Sequence, residues 1–311
     1  MRLPPFGFGA APIGNLFTAV GDEEARAAVD AAWEAGIRYY DTAPHYGLGL
    51  SERRLGEALR GRSGYVLSTK VGRRLVPGPL ARDSEGFDVV AGLRRVWDFS
   101  RDGVLRSLEE SLVRLGLDRV DLVLVHDPDE HMDQALREAY PALASLRDQG
   151  VVRAVGVGVN QWQAPLRFVR ETDVDVVLLA NRYTLLDRSG LPLLEACAER
   201  GVQVIAAGVF NSGLLATDTP SGTFDYAPAP QPLVERARAL AAACARHGVS
   251  LPQAAMAFPL RHPAVTSVLV GARSAAEVRR NAELWRRPVP DTLWADLAEA
   301  AHAGTKIQPS P

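Results

Sequence analysis

Tyr39-Tyr40-Asp41-Thr42-Ala43-Pro44-His45-Tyr46-Gly47 is the stretch whose reading decides the fold. Gly36-Ile37-Arg38 before it reads as the start of a buried strand. Ser51-Glu52-Arg53-Arg54-Leu55-Gly56-Glu57 after it reads as a capped helix. A carboxylate therefore stands where a strand ends, and a phenol stands in the loop that leads to a helix. The next two apolar runs end in the same manner. Tyr65-Val66-Leu67-Ser68-Thr69-Lys70 closes on an ammonium, and Val120-Asp121-Leu122-Val123-Leu124-Val125-His126 closes on an imidazole.

Working outward, strand and helix patterns alternate from one end of the chain to the other. Phe6 to Gly9 reads as a first strand and Asp22 to Ala35 as a helix with an acidic first turn and a Gly36 stop. Ile37–Asp41, Val66–Lys70, Val120–Val125, Arg153–Val157, Val174–Leu179, Val202–Ala206 and Thr266–Val270 follow as strands. They are nearly all apolar, as expected when both faces of a parallel sheet are covered. Helices are expected over Ser51–Arg60, Val104–Leu115 and Met132–Gln149, the second with Leu105, Leu108, Leu112 and Leu115 on one face. Eight strands joined by single helices predict an α/β protein, a closed (β/α)8 TIM barrel forming one domain over residues 1–311. Segments Pro232–His247 and Pro290–Ala303 fit as extra helices, and residues 72–102 as a long irregular loop after the third strand, overhanging the pocket.

Composition narrows the function. The chain has 311 residues, 47% hydrophobic and 23% charged, which suits a well-packed core rather than disorder. A net charge of −2, from 35 basic and 37 acidic side chains, gives no positive field for nucleic acid. No apolar run reaches the roughly 18 residues of a membrane helix. Met1-Arg2-Leu3-Pro4-Pro5-Phe6 has no apolar signal core, so a cytoplasmic enzyme, monomeric or a small homo-oligomer, is expected. Cys197 and Cys244 lie in Ala/Leu-rich helical patterns that suit packing rather than redox or metal chemistry. Neither G-x-G-x-x-G nor a phosphate-binding loop occurs: Gly7 and Gly9 are followed by Pro12, and Gly156 and Gly158 by Gln161.

The Asp–Tyr loop followed by the Lys and His strand ends resembles the signature of the aldo-keto reductase superfamily. The resemblance spans nearly the whole chain. It implies a catalytic tetrad of Asp41, Tyr46, Lys70 and His126 on the C-terminal face of the barrel, where barrel enzymes build their sites. The residue types suit carbonyl chemistry. Hydride transfer at carbon requires proton transfer at oxygen, and a free phenol, with a pKa of about 10, holds its proton too tightly near neutrality. A neighbouring ammonium favours the phenolate. Lys70 supplies that cation, Asp41 holds it charged, and His126 donates to the substrate oxygen. Taken singly, a Lys at a strand end is an ordinary solvated cap, an Asp there an ordinary helix cap, and a His before Asp-Pro an ordinary turn residue. Their joint order gives the pattern its weight.

The resemblance also implies NAD or NADP as cofactor. The family's Ser-Asn pair after strand five falls on Gly158-Val159 in an ungapped reading, or Val159-Asn160 after a one-residue shift, with Asn160 as the polar candidate. Asn181 replaces the family's Gln. Ala207 stands where a Tyr usually stacks on the nicotinamide, leaving Phe210 as a substitute ring. The loop Gly208-Val209-Phe210-Asn211-Ser212-Gly213-Leu214-Leu215 resembles the pyrophosphate loop, whose small residues let amides approach phosphate. Gly271, Arg273, Glu277 and Asn281 match the adenosine side, and Ser274 can cap a helix there. Glu277 replaces an Arg of NADP-using members, so the expectation tilts to NAD.

Val96-Trp97-Asp98-Phe99-Ser100-Arg101-Asp102-Gly103, Val157 to Trp162 and Arg182-Tyr183-Thr184-Leu185-Leu186-Asp187 resemble the branch of the family that oxidises aldoses at C1, and a similar branch that oxidises pyridoxal. That resemblance implies a cyclic hemiacetal taken to a lactone. His45, Trp97, Phe99 and Trp162 are the expected substrate walls. A broad aldehyde reductase and a non-catalytic nucleotide-binding subunit are the alternatives.

Overall fold

The computed structural model describes residues 1–225 and 227–303. Among them, eight parallel strands close into a barrel in the order β1-β12-β9-β8-β7-β6-β3-β2. The barrel strands are β1 (Phe6–Gly9), β2 (Tyr39–Asp41), β3 (Val66–Val71), β6 (Leu122–His126), β7 (Ala154–Val159), β8 (Val176–Ala180), β9 (Gln203–Ala207) and β12 (Val265–Gly271). The barrel expectation holds, with strand ends displaced by one or two residues. Helices α1 (Asp22–Glu34), α2 (Leu50–Leu59), α3 (Arg101–Leu115), α6 (Gln163–Glu171), α7 (Leu191–Arg200) and α10 (Ala275–Arg286) surround it. The helix expected over 132–149 forms as a continuous run: α4 (Met132–Gln134) passes through a π-helical turn, Ala135–Ala139, into α5 (Tyr140–Asp148).

Strand side chains alternate between two cores. Tyr39, Val66, Leu122, Leu124, Ala154, Val176, Leu178, Ile205 and Leu269 fill the barrel interior. Tyr40, Leu67, Val123, Val125, Val155, Val157 and Val177 face the helices. The strand period of two therefore dictates where the chemistry lands. Asp41 shares parity with Tyr39, Lys70 with Val66, and His126 with Leu122 and Leu124. All three are the last inward positions of adjacent strands. A third core joins α8 (Gln231–Arg246), α9 (Leu251–Ala257) and α11 (Thr292–Ala303), with Leu240, Cys244, Leu251 and Leu293 buried beneath Leu185, Leu186, Leu214 and Leu215. The extra helices thus brace the loops that follow β8 and β9.

One expectation fails. Residues 72–102 are not a long irregular loop. β4 (Arg73–Arg82) and β5 (Val90–Trp97) pair antiparallel, Arg73 opposite Trp97 and Arg82 opposite Val90. Few of their side chains are buried, so the hairpin lacks the apolar alternation that would betray it. A second two-stranded piece, β10 (Thr223–Phe224) with β11 (Ala227–Pro228), lies in the long connection after β9. No helix among the described residues is long and apolar enough to cross a membrane.

Candidate active site

β2 ends in Asp41, opposite Ser68, and β3 carries Lys70 two residues further on, while the loop after β2 brings Tyr46 back over them. Lys70 Nζ donates to Asp41 Oδ2 at 2.7 Å, to the Thr42 carbonyl at 3.0 Å and to Tyr46 Oη at 3.0 Å. All three ammonium protons are thereby assigned. Lys70 and Asp41 are 1% and 2% exposed, so this is a buried ion pair and its hydrogen bonds decide whether it is tolerated. Burial pulls the Lys70 ammonium's pKa down, but Asp41 and Tyr46 outweigh it and hold the group above the usual lysine range. Lys70 is therefore a permanent cation 3.0 Å from the phenol oxygen, which favours the phenolate.

Asp41 is fixed from below. Ser68 Oγ donates to Asp41 Oδ1 at 2.7 Å, and Tyr39 Oη lies 3.0 Å from Ser68 Oγ. A carboxylate only accepts, so Ser68 spends its proton on Asp41 and Tyr39 donates to Ser68. Burial and the Asp41 charge both hold the Tyr39 phenol protonated, with its pKa well above the ordinary value. The His126 ring centroid is 6.0 Å from that of Tyr46. Burial, then the Arg73 and Lys70 charges, press its imidazole pKa well below the usual value, so it stands neutral. Its Nδ1 is buried without a hydrogen-bond partner among the described residues. The four predicted side chains are thus gathered into one cluster, with a fixed cation, a phenol and a neutral imidazole around one point.

Several residues of the site carry no early signal. Arg73, at the base of the hairpin, donates to Asp127 Oδ2 at 2.7 Å, and its Nη1 lies 3.3 Å from both ring nitrogens of His45. Asp127 Oδ2 is 3.6 Å from His126 Nε2. Phe87, from the hairpin tip, stacks on Tyr46 with centroids 6.0 Å apart and meets His45 edge-on. Arg95 donates to the His45 carbonyl at 2.8 Å and pairs with Asp83. Adjacency to Lys70 and His126 could have drawn attention to Arg73 and Asp127. Phe87 reaches Tyr46 only because the hairpin folds back, which no local pattern encodes.

The expected substrate walls divide. His45 lies within the cluster. Burial, then Arg73 and Arg95, lower its pKa to about 2, so it too is neutral. Trp97 is 47% exposed, with the Arg73 guanidinium 4.3 Å above its ring. Trp162 is half-buried beside β7. Phe99 is a correction: it is fully buried, stacked on Trp97 and packed in the core, so it pins the base of the hairpin and presents no surface to a substrate.

On the cofactor side, the two readings after β7 fall on residues that differ in burial. Val159 packs into the outer core, and Asn160, the next residue and the polar candidate, is half-buried just past the strand. Asn160 Oδ1 and both side-chain atoms of Asn181 are buried and lack partners among the described residues. Buried polar atoms are rarely left so. A carboxamide has the matching donor and acceptor, so these residues fit a nicotinamide. Gly208 abuts Asn181: a Cβ there would collide with Asn181 Oδ1. Phe210 is half-buried between the outer core and the helical cluster.

Two further expectations are corrected. Asn211 is fully buried and spent internally, accepting from Thr184 at 2.7 Å and donating to the Asn181 carbonyl at 3.3 Å. Leu214 is fully buried in the helical core. Both shape the loop rather than face a ligand. The amides of Asn211, Gly213, Leu214 and Leu215 donate within the loop's own turns, so they are not turned outward as expected for a phosphate cradle. Ser212, with φ 58°, continues that tight turn. After β12, Gly271 is exposed, Arg273 and Asn281 are half-buried, and Ser274 Oγ caps α10 by accepting from the Glu277 amide at 3.2 Å. Glu277 in return accepts from the Arg273 amide at 2.9 Å.

Residues 5–302 match the Aldo/keto reductase family. The chain is an aldo-keto reductase. A D-threo-aldose 1-dehydrogenase from Pseudomonas sp is 49% identical, over 96% of this chain and 94% of its own. A pyridoxal 4-dehydrogenase from Microbacterium luteolum is 40% identical over the same shares, 96% and 94%. The holo form of an aldo-keto reductase from Bacillus halodurans superposes with a TM-score of 0.76 at 26% identity, covering 97% of this chain and 93% of that one. This aldo-keto reductase is accordingly an oxidoreductase that works with NAD(P) on a small molecule. The orphaned Asn181 atoms lie beside Gly208, just past the ends of β8 and β9, at the same ends of the barrel strands as Asp41, Lys70 and His126.

Proposed function

We propose that this enzyme oxidises the C1 hemiacetal of an aldose to the lactone, with NAD preferred over NADP. The observation that carries the substrate class is the 49% identity, nearly end to end, to a D-threo-aldose 1-dehydrogenase. Bound NAD(P) supplies a hydride acceptor. The protein manages the proton. The C1–H bond breaks as hydride while the C1–O bond gains its second bond, and Tyr46 takes the proton of the C1 hydroxyl. Lys70 stabilises the phenolate that must exist beforehand, and Asp41 with Ser68 keeps Lys70 aimed. His126, being neutral, donates a hydrogen bond to the substrate oxygen without adding charge beside Lys70. Phe87 and the hairpin cover the cluster, which strengthens these interactions by excluding water.

The NAD preference is read from Glu277. Its carboxylate lies 3.5 Å from Arg273 Nε, so the nearest cation is already partly neutralised. A 2′-phosphate carries roughly two negative charges and is repelled by a carboxylate. A screen that follows NADH and NADPH formation with L-fucose, D-arabinose, L-galactose and pyridoxal tests both statements. Turnover of an aldose with a higher kcat/KM for NAD is expected. Glu277→Arg should move the preference toward NADP by about tenfold or more, the worth of one charge-assisted contact. A wild type that prefers NADP rejects the Glu277 argument. Turnover of pyridoxal alone selects the second reading, which the 40% identical pyridoxal 4-dehydrogenase favours.

A further inference from the structure

The strand ends and the hairpin base bring together a polar group that the proton chemistry above does not use. Arg73 and Asp127 form an ion pair at 2.7 Å, each with only 14% of its side chain exposed, beside His126 and His45. The pair is costly to build. Asp127 adopts a left-handed backbone, φ 42°, which a non-glycine residue holds only under constraint. Its carboxylate sits 3.6 Å from His126 Nε2, the ring expected to meet the substrate oxygen. Arg73 is clamped on every side. Trp97 lies under its guanidinium at 4.3 Å, His45 lies 3.3 Å from Nη1, and Glu85 lies 3.4 Å from the same nitrogen. Yet Arg73 Nε is buried without a hydrogen-bond partner among the described residues, as is His126 Nδ1.

We propose that Arg73 and Asp127 form the specificity element for a polyhydroxylated substrate, donating to and accepting from the hydroxyls that flank the reacting carbon. The proposal rests on the aldose reading and adds which residues select that class. A sugar hydroxyl is both donor and acceptor, so it satisfies a guanidinium N–H and a carboxylate together. An aldehyde without hydroxyls leaves the hydrogen-bonding capacity that this pair has left over desolvated and unfilled. Sites built to bond a hydroxyl reject the analogue lacking it. Neutral His45, packed against Arg73, extends the same surface with an imidazole that can bond a hydroxyl in either sense.

The test compares two substrates on one set of variants. Oxidation of the best aldose and reduction of benzaldehyde are measured for the wild type, Arg73→Met and Asp127→Asn. The ratio of kcat/KM for the aldose to that for benzaldehyde is expected to fall by roughly 10- to 100-fold in each variant, as for loss of a hydrogen bond to a charged group. The loss should appear mainly in KM. NADH binding, followed by its fluorescence, shows whether each variant is folded; should Arg73→Met not bind NADH, the near-isosteric Asp127→Asn decides. Equal losses on both substrates, or no loss on either, overturn the proposal while leaving the aldose reading intact. A wild type that turns over benzaldehyde but no aldose overturns both.

Discussion

Lys70 is the residue on which the site turns, because its three protons go to three acceptors of one neighbouring segment, residues 41–46, and so fix that segment against β3. Asp41 ends one strand, the Thr42 carbonyl follows it, and Tyr46 returns from the loop. Removing Asp41 leaves a buried cation without its counter-ion. Asp41→Ala should therefore cost about 3–5 kcal/mol of stability, measured by chemical denaturation. Tyr46→Phe keeps the ring stacked on Phe87 and deletes only the proton carrier. Its kcat should fall by roughly 10²- to 10⁴-fold, the usual worth of a general acid–base group. NADH binding should persist, and near-normal turnover would show that another group moves the proton.

At the scale of elements, close approach of α2 and α3 holds the Tyr46 loop in place. Glu52, fully buried on α2, accepts from Thr69 at 2.8 Å and pairs with Arg114 of α3 at 2.6 Å. Gly56, one turn on, lies against the Leu115 carbonyl, and a Cβ there would overlap that oxygen. Two effects compete in Gly56→Ala. Helix propensity favours Ala by up to about 1 kcal/mol. Overpacking against backbone costs about 1–3 kcal/mol, because a carbonyl cannot rotate aside as a side chain can. The clash should win, lowering Tm by several degrees, and a rise in Tm would mean the two helices part more easily than their packing suggests. The hairpin is the element that composition conceals. Its strands mix prolines, glycines and arginines with apolar residues in no regular alternation, and only Leu75 among them is buried, so it looks like loop. Its Phe87 nevertheless stacks on Tyr46.

For the whole molecule, two imidazoles held neutral inside the site tie stability to pH. His45 has its pKa lowered to about 2, and His126 lies well below its usual value, burial being the first cause of each. The unfolded chain takes up protons at both near pH 6.5, while the folded chain does not. Stability is thus full above the unfolded pKa and is lost as pH falls toward the folded values. Between pH 6.5 and 5, each histidine should cost about 1.5 kcal/mol. Urea unfolding of the wild type and of His45→Asn across that range checks this. The variant should lose about half of the slope these two groups cause, and an unchanged slope would mean His45 is protonated in the folded state.

The chain alone determined the barrel, because eight apolar runs at strand length, each followed by a helix, admit few other closures. It marked Asp41, Lys70 and His126 at strand ends as well, where parity turns the last residue inward, while Tyr46 in the loop was picked out by the resemblance to the family. What only the tertiary structure decided depends on contacts between segments distant in sequence. The pairing of Arg73 with Asp127, the return of Phe87 over Tyr46, the inward burial of Phe99, Asn211 and Leu214, and the donation of Ser68 to Asp41 follow from where the hairpin and the loops after β8 and β9 come to rest. No periodicity in a single segment reports that, because the partner of each side chain lies on another one.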